Sequence, residues 1–262
     1  MEVNSSPFKI ILGSSSMPRR KILAEMGYEF TVLSADIDEK AIRKEKPEDL
    51  VIAIAEAKAD AIVSKLRTID GQLGNAEPTI LIAADTAEAI LNRLPIGDDI
   101  KEADPTVLIT ADQVVVYEGA IREKPSSKEE AWQFIKGYSG GHCATVGSVF
   151  VTNIKTGFRK GEWDRVEIYF HEIPDEVIEK LVKSCFHLMV VSVVSVFGMV
   201  SYNITTSYIP FQVEEGTVLY VAGGLIIEHP LILPYIKQVV GTMDSVMGLP
   251  KALTERLIKE AL

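Results

Sequence analysis

Three serines and two arginines stand close together in Leu12-Gly13-Ser14-Ser15-Ser16-Met17-Pro18-Arg19-Arg20, where an apolar run passes into a helical pattern. Hydroxyls, free backbone N–H groups and guanidinium forks converge at such a turn, and together they suit a polyphosphate. Further along come Asp38-Glu39, Lys58, Ala111-Asp112-Gln113 and Glu123-Lys124-Pro125. Carboxylates of this kind can hold a hard cation and activate water. Lys58 and Lys124 add flexible cations within reach of phosphate charge. Ala222-Gly223-Gly224 and Gly248-Leu249-Pro250 follow late in the chain. The set reads as the parts of a nucleotide-hydrolysing site.

These residues need elements to position them. Residues 8–12 read as a buried strand, and 17–26 as a short helix with Pro18 in its first turn and Gly27 as its stop. Residues 28–33 suggest a second strand. A long helix is expected over 47–66: Pro47, Glu48 and Asp49 suit its first turn, and Leu50, Ile54, Ala57 and Ala61 recur at helical spacing. A strand should carry Asp112 and continue through 114–117 to a turn at Glu118-Gly119. Ser127 followed by Glu130 is a capping-box pattern for a helix over 127–138. Strands over 144–153 and 163–170 flank a turn at Lys155-Thr156-Gly157, and helices cover 174–182 and 253–262. Trp132 and Trp163 are expected in the core. None of the four histidines shows metal-ligand spacing.

Two stretches disturb this order. Residues 59–66 are echoed by 87–94, and 77–85 by 104–112, so the region 59–112 reads as a duplicated helix–strand unit. The duplication makes Asp85 a decoy for Asp112. Asp85 is followed by Thr86 and has no Lys-Pro downstream at the matching distance. The useful residues are therefore split, with Lys58 in one copy and Asp112 and Lys124 in the other. Residues 183–212 are low in charge and lack clean periodicity, and they interrupt a helix, so they read as an insertion. Their apolar run, 188–200, is shorter than the roughly 20 residues a membrane span needs.

The chain has 262 residues, 47% of them hydrophobic and 24% charged, an ordinary globular balance. Its formal net charge of −10 argues against a general nucleic-acid binder, which would be basic. Two cysteines give no disulfide framework. With no signal-like start, a cytoplasmic location away from membranes is expected.

In their order, these motifs resemble the Maf family of nucleoside triphosphate pyrophosphatases. Ser14-Ser15-Ser16-Met17-Pro18-Arg19-Arg20 resembles its Ser-x-Ser-Pro-Arg-Arg signature, with the arginine pair one residue later. Ile37-Asp38-Glu39, Ala57-Lys58-Ala59, Ala111-Asp112-Gln113, Glu123-Lys124-Pro125, Ser139-Gly140, Ala222-Gly223-Gly224 and Val246-Met247-Gly248-Leu249-Pro250 follow in register. The resemblance implies one α/β domain over residues 8–262: a mixed β-sheet with flanking helices and two lobes around a nucleotide cleft. It implies water attack on a nucleoside triphosphate, giving a monophosphate and pyrophosphate, with a divalent cation (magnesium or manganese) and a homodimer.

Carried over residue by residue, the resemblance implies that Asp112 activates water and that Glu39 binds the metal. Ser14, Ser16, Arg19, Arg20, Lys58 and Lys124 would bind the phosphates, Arg20 more directly than Arg19. Gln113 and Glu228 resemble the branch that prefers 7-methyl-GTP, because a carboxylate can neutralise a cationic N7-methylguanine. Pro18 departs from that branch, which has tryptophan there. Two alternatives stay open: a dTTP/UTP pyrophosphatase, or a catalytically inert nucleotide-binding module.

Overall fold

The computed structural model describes residues 8–73, 105–183 and 217–262. The strand of the first copy of the expected duplication, 77–85 with Asp85, and the helix of the second, 87–94, lie outside the described residues. So does the expected insertion, apart from Lys183 at its start. In the described residues the main elements are β1 (Lys9–Leu12), α1 (Met17–Glu25), β2 (Thr31–Val32), α2 (Pro47–Leu73), β3 (Thr106–Tyr117) and β4 (Ala120–Arg122). They continue with α3 (Lys128–Tyr138), β5 (His142–Asn153), β6 (Arg159–Phe170), α4 (Asp175–Lys183), β7 (Ile236–Val240) and α5 (Lys251–Ala261). Single helical turns lie at Glu39–Ala41 and Met243–Val246.

The seven strands form one sheet in the order β2-β1-β3-β5-β6-β7, with β4 also paired to β3. β1 runs parallel to β2 and β3, and the remaining pairings are antiparallel. This is the mixed α/β sheet with flanking helices that the motifs imply. On the edge away from β5, β3 pairs with β1 through Thr106–Ile109 and with β4 through Val115–Tyr117. Between them, positions 110–114 have no strand neighbour on that edge among the described residues. Asp112 lies in this gap.

Alternation along β3 aims its residues at two different layers. Leu108, Thr110, Asp112, Val114 and Val116 face α2, whose buried stripe is Leu50, Val51, Ile54, Ala55, Ala59 and Ile62. The stripe is rotated about one position from the expected Leu50, Ile54, Ala57, Ala61. That rotation places Lys58 inside the stripe, buried to 9% exposure. Thr110 Oγ1 donates to the Ala55 carbonyl at 2.7 Å and Ser148 Oγ to that of Val51 at 2.8 Å, pinning helix to sheet. On the opposite face, Val107, Ile109 and Ala111 pack with α1 and α5 through Leu23, Leu257 and Ile258. Val115 packs with α3 and α4 through Ile135 and Ile178.

Several local expectations change. The strand expected over 28–33 is only Thr31–Val32, and α2 continues to Leu73. In the capping box, Ser127 Oγ accepts from the Glu130 N–H at 3.1 Å, but Glu130 reaches back to the Ser126 N–H at 2.6 Å. Trp163 is 47% exposed, because its face of β6 extends beyond α2, while Trp132 is half-buried against the α3–α4 cluster. β7 has no counterpart in the expected elements. Its residues alternate only partly, as suits a strand at the sheet margin.

Candidate active site

The centre of the site is an ammonium held between two carboxylates. Lys58 Nζ lies 2.7 Å from Asp112 Oδ1 and 2.9 Å from Glu39 Oε1. Each partner comes from a different element: Lys58 from the buried stripe of α2, Asp112 from β3, and Glu39 from the helical turn after β2. Asp38 caps that turn by accepting from the Lys40 N–H at 3.1 Å, which aims the neighbouring Glu39 inward. Lys124 closes the set from above, its Nζ 3.8 Å from Glu39 Oε2.

The two carboxylates are pushed apart in acidity. Burial raises the Asp112 carboxyl above the usual aspartate range, although Lys58 and Arg19 pull it the other way. Burial also acts to raise Glu39, but Lys58, Lys124 and Arg19 together outweigh it, so Glu39 ends below its ordinary value. A pair separated in this way divides labour: the raised member suits proton uptake and the lowered one stays charged.

The serine–arginine turn sits at the end of β1. Gly13 donates its N–H to the Ile109 carbonyl at 2.7 Å. A Cβ on Gly13 would lie 2.5 Å from Thr110 Cγ2 and 2.8 Å from Ile62 Cδ1, so only glycine lets the turn come this close. Ser14 Oγ accepts from the Ser16 N–H and from Arg19 Nη1, both at 3.3 Å. Arg19 also donates from Nη1 to the Ala111 carbonyl at 3.0 Å and from Nε to the Gly248 carbonyl at 2.9 Å. It therefore ties three segments together at the gap in the sheet. Arg20 differs: its Nε is buried and unpartnered among the described residues. A buried guanidinium donor without an acceptor is costly and calls for an anion. Ser16 stands at the N-cap of α1 without a side-chain capping bond.

Gln113 points to the opposite face of β3 from Asp112. Its Nε2 donates to the Val246 carbonyl at 2.8 Å and to the Ser245 carbonyl at 3.4 Å. Its amide thus holds the loop that carries Gly248, where φ is +95° and a Cβ would lie 2.8 Å from Gln113 Oε1. On the far side, Gly223 donates its N–H to the Glu123 carbonyl at 2.9 Å and accepts from Tyr138 Oη at 3.0 Å. This fixes the Ala222–Gly224 turn against the segment bearing Lys124. Glu228 follows that turn, half-buried, and burial raises its carboxyl with Lys21 as the opposing charge. Glu228 is not part of the Lys58 cluster. Arg43, which the motifs did not reveal, lies at the exposed margin beside Lys124. Its Nη1 lies 2.9 Å from Glu123 Oε1, and the one signal for it was the carboxylate beside Lys124.

No group of three or more His, Cys, Asp or Glu gathers as a metal cage among the described residues. The donor set fits a smaller demand. Magnesium-type cations are commonly held by one or two carboxylates together with substrate phosphates. Glu39 and Asp112 would hold such a cation: each meets Lys58 through one oxygen, and the second oxygen of Glu39 also faces Lys124 at 3.8 Å.

A family profile described as "Maf-like protein" matches residues 9–192, well over half of the chain, and the chain belongs to that family. It is 31% identical over 251 residues to a 7-methyl-GTP pyrophosphatase of Dictyostelium discoideum, covering 96% of each chain. Over 261 residues it is 26% identical to a dTTP/UTP pyrophosphatase of Psychrobacter cryohalolentis, again with 96% of each covered. A 7-methyl-GTP pyrophosphatase of Idiomarina loihiensis is 30% identical over 174 residues, 66% of this chain and 70% of the relative.

Proposed function

We propose that the protein hydrolyses a nucleoside triphosphate to the monophosphate and pyrophosphate, with a divalent cation and a preference for a modified, cationic base of the 7-methyl-GTP kind. The observation that carries this reading is Lys58 held in the buried layer between Asp112 and Glu39, with the two carboxyls shifted in opposite directions. Asp112 takes a proton from water as its oxygen bonds to the α-phosphorus and the bond to the departing pyrophosphate breaks. The raised carboxyl of Asp112 brings its proton affinity nearer neutrality, where a general base works best. Arg20, Lys58 and Lys124 bind the triphosphate oxygens, and Arg20 brings an unpartnered donor to that task. Arg19, spent on Ser14, Ala111 and Gly248, fixes the wall on which the phosphates lie. Ser14 and the α1 amino end complete the anion-binding turn. A divalent cation held by Glu39 and Asp112 would offset phosphate charge.

The base preference rests on Glu228. A half-buried carboxylate raised by burial, with Lys21 as an opposing charge, gains most from a base that brings its own positive charge. Gln113 supports the site from behind, through the loop at 245–248. The test is pyrophosphate and monophosphate release measured against 7-methyl-GTP, GTP, UTP and dTTP. Fastest turnover of 7-methyl-GTP with equal yields of the two products is expected. Turnover confined to UTP and dTTP would overturn the base preference, and nucleotide binding without product would overturn the enzymatic reading.

In this reading residues 183–212 remain an insertion, because they are low in charge, lack clean periodicity and follow directly on a helix. Deleting them is expected to raise the thermal midpoint and preserve turnover; a deletion that unfolds the protein would contradict it.

A further inference from the structure

The two carboxylates assigned to the cation are already bridged. Lys58 Nζ makes both of its short contacts, 2.7 and 2.9 Å, to Asp112 and Glu39, and it sits where a divalent cation shared by the two would sit. The ammonium is part of the wall, 9% exposed within the α2 stripe, with apolar neighbours Ala55, Ala59 and Ile62 on its helix. Lys124 adds a second cation at 3.8 Å from the same Glu39, and Arg19 contributes positive charge to both carboxylates. The described residues offer no third His, Cys, Asp or Glu to strengthen a cage.

We infer that Lys58 is a resident counter-ion that keeps free divalent metal out of the site, so that the cation enters only with the nucleotide. A metal arriving alone must displace an ammonium from two carboxylates, one of them buried, and it finds only two protein ligands there. A metal arriving on a triphosphate brings further oxygen ligands with it. The same triphosphate gives Lys58 another anion to meet, and its flexible four-carbon stem can move the ammonium from the carboxylates to the phosphate oxygens. Lys58 thus has two stations, the carboxylate pair in the free protein and the phosphates in the complex. The movement leaves Asp112 and Glu39 exposed to the cation only when substrate is in place. Hydrolysis is thereby confined to the metal–nucleotide complex. This rests on the hydrolytic reading above but concerns binding order, which can be measured without turnover.

The experiment is manganese binding followed by electron paramagnetic resonance, on the full chain, with manganese alone and with a non-hydrolysable triphosphate analogue. The nucleotide-free protein is expected to bind manganese weakly, with the protein–analogue complex retaining more of it than analogue alone. Lys58→Met keeps the stem and removes the charge, and it should tighten manganese binding without nucleotide by at least about tenfold, a shift of about 1.4 kcal/mol. Lys58→Arg keeps the charge and should leave that binding as weak as in the native protein. Circular dichroism shows whether each variant is folded, and the native protein decides the matter if Lys58→Met is not. Tight manganese binding by the native protein without nucleotide would overturn the inference while leaving hydrolysis intact. So would a folded Lys58→Met that binds manganese no better. Manganese retained in neither condition would overturn the inference and the metal assignment together.

Discussion

Two clusters in this molecule have the same formal content, two cations and two carboxylates, but only one of them contains a buried pair. In one, Lys58 and Lys124 meet Asp112 and Glu39 where α2 covers the gap in β3. In the other, Arg256 and Lys160 meet Glu162 and Glu260 across the outer faces of α5 and β6. Arg256 grips Glu162 with both terminal nitrogens, at 2.7 and 2.8 Å, better geometry than any pair in the first cluster. Yet all four outer groups keep a third or more of their side chains in water, which screens them. Lys58 and Asp112 have little water and depend on each other. Hydrogen-bond geometry alone would select the outer cluster as the more important. Burial selects the inner one, where an uncompensated charge is expensive and a carboxyl can be held away from its ordinary acidity.

The largest expected effect is therefore at Lys58. Lys58→Ala leaves Asp112 facing Glu39 without the cation between them. It is expected to destabilise the fold by about 3 kcal/mol, in the range for breaking a buried pair, as read by denaturant unfolding, and to lower turnover as well. If Arg256→Ala cost as much as Lys58→Ala, the contrast between the clusters would be lost.

Acidity sharpens the comparison because Asp112 and Glu162 shift in opposite senses. Asp112 must be ionised to accept a proton, and its carboxyl is raised. Turnover should therefore fall on acidification at a pH above about 3.9, the ordinary aspartate value. For stability the sign reverses. A carboxyl raised in the folded state contributes stability that is fully present below its unfolded value and is lost as pH rises through the folded value. Glu162 behaves oppositely. Arg256 and Lys160 lower it to about 2, so its contribution is present above the unfolded value of 4.5 and disappears as pH falls toward 2. A pH–rate profile flat down to the ordinary aspartate range would break the Asp112 half of this contrast.

Substrate preference comes next. Glu228→Gln keeps shape and removes charge, and it should slow 7-methyl-GTP turnover about ten- to a hundred-fold, the scale of a charged hydrogen bond. UTP turnover should change less. An equal loss on both would mean that Glu228 supports the fold and does not read the base. The smallest effect belongs to the outer cluster: Arg256→Ala should shift the thermal midpoint slightly. The shift should disappear in about 1 M salt, where screening acts within about 3 Å.

The sequence made much of this site readable because its parts lie on strongly patterned elements. Lys58 falls in a helical apolar stripe and Asp112 in an alternating strand, so two polar residues on facing apolar layers had to meet. Their pairing across the expected duplication, Lys58 from one copy and Asp112 from the other, follows the order of motifs. Other features carry no residue signature. Arg19 and Gln113 bind backbone carbonyls at Gly248, Val246 and Ser245, and any residue could supply those acceptors. β4 and β7 are too short for a period to show, and β7 lies at the sheet margin, where alternation is weakly enforced. Trp163 was expected inside because of its type, but the width of α2 decides which part of that face is covered.

The most direct test compares Asp112→Asn with Asp85→Asn in turnover and in unfolding, side by side. Asp112→Asn leaves Lys58 paired with Glu39, so the protein should remain folded, while losing the positioned base should slow turnover about 10²–10⁴-fold. Asp85→Asn should leave turnover unchanged. Full activity in Asp112→Asn with loss in Asp85→Asn would place the chemistry in the other copy and contradict the assignment of the centre to Lys58, Asp112 and Glu39.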